Sequence, residues 1–140
     1  MPNLSQLPKR KLQIILDSNA LLVPLEFKID IFEELENVVN TAMKPILLSP
    51  ILDEIEKIAR ESSPKMRKNA TYALKLAERC EIVRIDEADM PADDAIVKVA
   101  NERKCPVFTN DRALRKRLRN INVPVIYLRQ KSRLEIDGRI

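Results

Sequence analysis

The sequence predicts a three-layer α/β/α fold around a mostly parallel, five-stranded sheet. Three observations carry that expectation. Short apolar runs such as LQIIL, EIVRI and VPVIYL are of strand length and continuous rather than alternating, which fits strands buried on both faces. The stretches between them repeat apolar residues at helical spacing. Strands and helices follow one another in the order βαβααβαβαβ, the pattern produced by crossover connections between parallel strands.

Each element can be justified in turn. The first strand is Leu12 to Leu16, and DIFEELENVVNTAM (30–43) follows at helical spacing. The second strand is Ile46 to Leu48. A helix then runs from Pro50 to Glu61, with proline in its first turn, where no backbone N–H is needed. Ser63 and Pro64 break and restart the chain, and PKMRKNATYALKLAERC makes a long amphipathic helix. The third strand is Glu81 to Ile85. Pro91 introduces the helix ADDAIVKVANERK, the fourth strand is Pro106 to Thr109, DRALRKRLRN is a basic helix, and Val123 to Leu128 is the fifth strand. The tail 129–140 is polar and basic, and is expected to lie loosely outside a core spanning 12–128. The chain of 140 residues is read as one domain.

Composition removes whole classes of chemistry. With no histidine, Ser-His-Asp and Cys-His catalysis and histidine-containing zinc or iron sites are excluded. Gly138 is the only glycine, so neither a P-loop nor a GxGxxG dinucleotide turn can be built. Cys80 and Cys105 sit where small apolar side chains are buried, and core packing is expected of both. The N-terminal MPNLSQLPKRK lacks an apolar signal region, and no run approaches a membrane span. A soluble, cytoplasmic protein without membrane contact is the expectation.

Carboxylate chemistry remains, and four acids are placed for it. Asp17, Glu54, Asp93 and Asp111 each stand just past a strand-like run or at the start of the next helix. In an open parallel sheet the ligand crevice lies outside the carboxyl ends of the strands, so acids spread over almost the whole chain would converge on one rim. Magnesium and manganese take oxygen ligands, and clustered carboxylates repel until a cation binds. A divalent-metal site is predicted. Plainer readings exist for three of the acids: Asp93 and Asp111 suit helix N-caps, and Glu54 could belong to an exposed charge pattern with Glu56, Lys57 and Arg60. Asp17 resists such a reading, because a carboxylate ending a buried strand is costly unless paired or metal-bound.

Charge indicates the partner. The net charge is +4 and the pI about 9.2, and from Arg112 to Ile140 nine basic residues face only Glu135 and Asp137. Arg112, Arg115, Lys116, Arg119, Lys131 and Arg133 are the candidate RNA-binding residues. Smaller clusters are Lys65, Arg67 and Lys68, and Lys9, Arg10 and Lys11. Either cluster alone would be an ordinary solvated face, but three basic clusters beside an acidic metal site favour nucleic acid. The aromatics Phe27, Phe32, Tyr72, Phe108 and Tyr127 are mostly placed as core, so an aromatic stacking platform is not predicted.

Four motifs in order, ILDSNALL, SPILDEIEKIA, ADDAIVKVA and VFTNDRAL, together resemble the PIN-domain nucleases over about 12–128. Within that superfamily, the ADD start, the block ERKCPVFTNDRALRKRLRNINVPVIYL and the short basic tail are most similar to the rRNA-processing PIN proteins of the small-subunit processome and their archaeal relatives. The resemblance implies a divalent-metal-dependent endoribonuclease that hydrolyses phosphodiester bonds in maturing ribosomal RNA. It makes Asp17, Glu54, Asp93 and Asp111 the catalytic, metal-binding acids for Mg2+ or Mn2+, in preference to the adjacent Asp53. Asp94 either assists or simply favours the helix start, and Ser18, Asn19, Thr109 and Asn110 orient ligands or the attacking water. Implied partners are pre-rRNA, ribosome-assembly proteins and a second copy of the chain. One departure is that some ribosome-maturation relatives carry an added zinc module, for which this chain has no ligands. Two alternatives share the architecture: a VapC-like toxin ribonuclease with the same acids, and a non-catalytic RNA-binding scaffold, which would have no need to keep them. A phospho-receiver domain also shares the architecture, but this chain has no paired acid after the first strand and no clear phospho-acceptor context.

Overall fold

The computed structural model describes residues 11–23, 30–86, 89–130 and 133–140. Lys9, Arg10, Phe27 and Lys131, named above from the sequence, lie outside these residues. Six strands form one sheet: β1 (Leu12–Leu16), β2 (Met43–Leu48), β3 (Glu81–Val83), β4 (Val107–Phe108), β5 (Val125–Arg129) and β6 (Arg133–Asp137), in spatial order β3-β2-β1-β4-β5-β6. The first five run parallel, and β6 pairs antiparallel to β5. The described helices are α1 (Ser18–Leu22), α2 (Ile31–Val39), α3 (Ser49–Glu61), α4 (Pro64–Ala77), α5 (Ala92–Arg103) and α6 (Arg112–Asn120).

Burial explains why the strands read as continuous apolar runs. Successive residues of a strand point to opposite faces, yet Ile14, Ile15 and Leu16 of β1 and Ile46, Leu47 and Leu48 of β2 are all fully buried. Both faces of the sheet are therefore covered, as the α/β/α arrangement requires. Ile51 and Ile55 of α3, Ala70 and Ala73 of α4, Ile96 and Ala100 of α5 and Leu114 and Leu118 of α6 complete the core. Among the described residues no helix is long and apolar enough to cross a membrane.

Several boundaries differ from the sequence expectation. The helical pattern 30–43 stops at Val39, because Asn40 turns left-handed (φ 55°) at the helix end. The chain then enters β2 at Met43, whose N–H donates to Glu36 Oε2 at 3.0 Å. Pro45 is tolerated there because β2 pairs with β3 only from Ile46 onward, leaving one side of the strand unladdered at the proline. The short helix α1 begins directly after β1, capped by the Asp17 carboxylate.

The largest correction concerns the tail. The sheet has six strands rather than five, and residues 133–137 are part of it. Leu134 is buried, and Asp137 accepts from Arg115 at 2.9 Å and pairs with Arg119 at 3.2 Å. Gly138 ends β6 at φ 106°, where an added Cβ would come within 2.5 Å of Arg119 Nη1. The single glycine thus sits where its freedom and small size are both used.

Candidate active site at the carboxyl edge of the sheet

Strand order reverses between β1 and β4: the chain moves outward through β2 and β3, then returns to place β4 on the other side of β1. Such switch points open a crevice at the carboxyl ends of the strands. Asp17 leaves β1 there, and Thr109, Asn110 and Asp111 leave β4 beside it. The Asp17 N–H donates to the Phe108 carbonyl at 3.0 Å, which ties the two strand ends together.

Asp17 is buried, with 4% of its surface exposed, and is held from two sides. Its Oδ1 accepts from the Ser18 N–H at 2.8 Å and its Oδ2 from the Thr109 hydroxyl at 2.7 Å. No ion pair to Asp17 occurs among the described residues. Burial pushes its carboxyl above the ordinary value; the bonds from Thr109 and Ser18 oppose that shift, and the charges of Asp93 and Glu54 add to it. Asp93 is also raised, by burial first and then by the charges of Asp111 and Asp94, against the pull of Arg117. Asp17 thus lies within electrostatic reach of Glu54 and Asp93, and Asp93 within reach of Asp111.

Thr109 organises the rim. It is fully buried, donates to Asp17, and accepts from the Asp111 N–H at 3.1 Å, so one hydroxyl locks the first and fourth acids together. Asn110 braces the next layer: its N–H donates to Asn19 Oδ1 at 3.0 Å, while its own Oδ1 accepts from the Leu128 N–H at 2.8 Å. Ser18 donates to Glu54 Oε2 at 3.3 Å. Thr109 and Ser18 therefore bond the acids directly, while Asn19 and Asn110 tie the loops after β1, β4 and β5 to one another.

The plainer readings separate here. Asp111 is the N-cap of α6, its Oδ1 accepting from Ala113 and Leu114, so the plainer reading of this acid holds as far as one oxygen. Asp93 is not a cap, since Pro91 occupies that position. Asp94 is spent on Arg117 at 2.9 Å. Among the described residues no three His, Cys, Asp or Glu side chains close into a group that could hold a metal ion as they stand. The donor set nevertheless suits a hard cation: it is all oxygen, it contains a buried carboxylate without an ion pair among the described residues, and Glu54 is held beside it by the Ser18 hydroxyl.

A family model described as a PIN like domain matches residues 14–131. The chain belongs to the PIN-like domain family. It is 33% identical over 129 residues to Ribonuclease VapC4 of Methanocaldococcus jannaschii, across 91% of this chain and 98% of that protein. It is 29% identical over 120 residues to the rRNA-processing protein FCF1 of Saccharomyces cerevisiae, spanning 84% of this chain but 59% of FCF1. The structure of the PIN domain endonuclease Utp24 superposes with a TM-score of 0.76 at 28% identity, covering 91% of this chain and 92% of that one.

The basic flank of this PIN-like domain is less free than its composition suggests. Arg115 and Arg119 are bound to Asp137, and Arg133 pairs with Glu135 at 3.2 Å. Arg112 and Lys116 are exposed and have no ion pair among the described residues. The sequence reading missed Arg117 as the partner of Asp94, and Tyr127, whose ring carries the Arg115 guanidinium at 3.9 Å and whose hydroxyl donates to Glu135. No local spacing announces either contact, since the partners lie 23 and 12 positions apart. Cys105 is buried and Cys80 half-buried, and burial pushes their thiols up to about 11 and about 12, as expected of packing residues.

Proposed function

We propose that this PIN-family chain is a divalent-metal-dependent endoribonuclease whose substrate is small-subunit precursor rRNA. The observation that carries the reading is Asp17: a buried carboxylate without an ion pair among the described residues, in the field of Glu54 and Asp93, and joined to Asp111 through Thr109. Folding has gathered negative charge at a cost that a bound cation would relieve at neutral pH.

Asp17, Glu54, Asp93 and Asp111 would hold Mg2+ or Mn2+. Such an ion lowers the pKa of a bound water and neutralises charge on the scissile phosphate. The protein's own part is placement. Asp17 is immobilised by Thr109 and Ser18, so the position at which the phosphate is attacked is set by β1 and β4. Arg117 neutralises Asp94, which limits repulsion of the incoming phosphate. The N-terminus of α6 brings the positive end of its dipole to the same rim. Arg112 and Lys116 extend a cationic track along α6 for the RNA backbone. No covalent enzyme intermediate is required.

The rRNA assignment is supported by the FCF1 relative and the Utp24 structure. A toxin-type ribonuclease is the second reading, favoured by the full-length match to VapC4. End-labelled small-subunit precursor RNA is the test, incubated with the purified chain in manganese, magnesium or EDTA beside Asp17→Asn. Cuts at defined positions that need metal and vanish in the variant, while RNA binding persists, support the proposal. RNA binding without metal-dependent cleavage would support a scaffold instead. Preferential cutting of other RNAs, with a small antitoxin gene directly upstream, would support the toxin.

A further inference from the structure

A cleft of about 370 Å3 opens beside the acid rim, between the first turns of α6 and the end of β5. Thr109 and Asn110, which brace the acids, form its inner end. Arg112, Arg115, Tyr127, Leu128, Arg129 and Gln130 line the rest, and no acidic residue is among those lining it. Its volume lies at the low end of small-ligand pockets, about 300–1,000 Å3, and suits one nucleotide rather than a duplex.

The walls are built for an anionic, planar guest. The Arg115 guanidinium lies over the Tyr127 ring at 3.9 Å and is tied to Asp137. The Tyr127 hydroxyl is tied to Glu135, which also holds Arg129 at 3.0 Å. The flat pair is thus fixed before anything binds, and a guanidinium plane is a surface on which bases stack. Arg112, exposed and without an ion pair among the described residues, is the cation left over for a phosphate. Gln130 stands at the mouth with a left-handed backbone (φ 53°), presenting an amide that both donates and accepts.

We propose that this cleft seats one nucleotide of a single-stranded RNA, adjacent to the bond held at the acid rim, with its phosphate on Arg112 and its base against the Arg115–Tyr127 pair. The inference rests on the reading of the rim as an RNA-cleaving site, and it adds a place where sequence preference at the flanking position would arise.

The test is amide NMR of the isotopically labelled full chain in EDTA, titrated separately with uridine 5′-monophosphate, uridine and inorganic phosphate. Because no metal is present and no cleavage is read, failure of the nuclease assignment leaves the result intact. The expected result is saturable shifts at Arg112, Leu128 and Gln130 with the nucleotide, and weaker binding of uridine or phosphate alone. Arg112→Ala and Tyr127→Leu should each weaken nucleotide binding about five- to tenfold, and Lys75→Ala, on the exposed face of α4 and outside the cleft, should leave it unchanged. Equal binding of phosphate and nucleotide would reduce the cleft to an anion site and overturn the proposal. So would shifts centred on Lys116 and Asn120, an absence of shifts, or undiminished binding in Arg112→Ala.

Discussion

The two flanks of the rim treat charge in opposite ways. On the acid side, Asp17 lies in the field of Glu54 and Asp93, Asp93 in that of Asp111, and Arg117, whose charge also acts on Asp93, is paired with Asp94. On the basic side, most cations introduced by α6, β5 and β6 are matched, Arg115 and Arg119 with Asp137 and Arg129 and Arg133 with Glu135, while Arg112 and Lys116 are left over. Paired charges build the scaffold, and unpaired ones await a ligand. Net charge therefore overstates the RNA-binding surface, while the acid cluster is the part of the molecule least satisfied by its own fold.

The strongest way to break this contrast is Asp17→Asn. Removing the buried acid should forfeit several kcal/mol of transition-state stabilisation, a loss of about a thousandfold or more in cleavage rate, with RNA binding retained in a filter or anisotropy assay. If cleavage survived, the acid flank would be structural after all. Thr109→Val comes next. It keeps the shape but takes the hydroxyl from Asp17 and Asp111, and a loss of this kind costs about 10- to 100-fold in metal affinity or activity; calorimetric titration with manganese would measure it.

The third prediction concerns stability in the absence of metal. Asp17 is raised in the folded state, so its charged form opposes folding. The protonated form's advantage is fully present below the unfolded value near 3.8 and is lost as pH rises through the folded value. At neutral pH, Asp17→Asn should therefore melt higher than the parent in EDTA, and the difference should vanish as pH falls below the ordinary aspartate range. Adding manganese should raise the melting temperature of the parent alone. The smallest effect is expected on the basic flank. Asp137→Asn unpairs Arg115 and Arg119, but the group is about a third exposed, so denaturant unfolding should show a loss of no more than about 1 kcal/mol, with manganese affinity unchanged. A large loss of metal binding would show the two flanks to be one unit.

Much of this molecule could be read along the chain. The buried strands announced themselves because IIL of β1 and ILL of β2 are apolar at consecutive positions, which only a doubly covered sheet explains. The acids were legible because each follows such a run, and the switch-point rule then predicts one rim. Strand β6 was not read, although RLEID alternates and Leu134 points inward. Five residues dominated by charge resemble a solvated tail until β5 supplies the hydrogen-bonding edge and α6 supplies Arg115 and Arg119 for Asp137.

The sequence by itself determined the layer architecture and named the candidate acids, because hydrophobic periodicity and residue chemistry are local properties. Only the tertiary structure decided which charges are spent and which remain. Arg117 meets Asp94 across two helices, Thr109 meets Asp17 across two strand ends, and Arg115 of α6 lies on Tyr127 of β5. These are pairings between residues far apart in the chain, and the folded geometry that chooses among many possible partners is not written in any one segment.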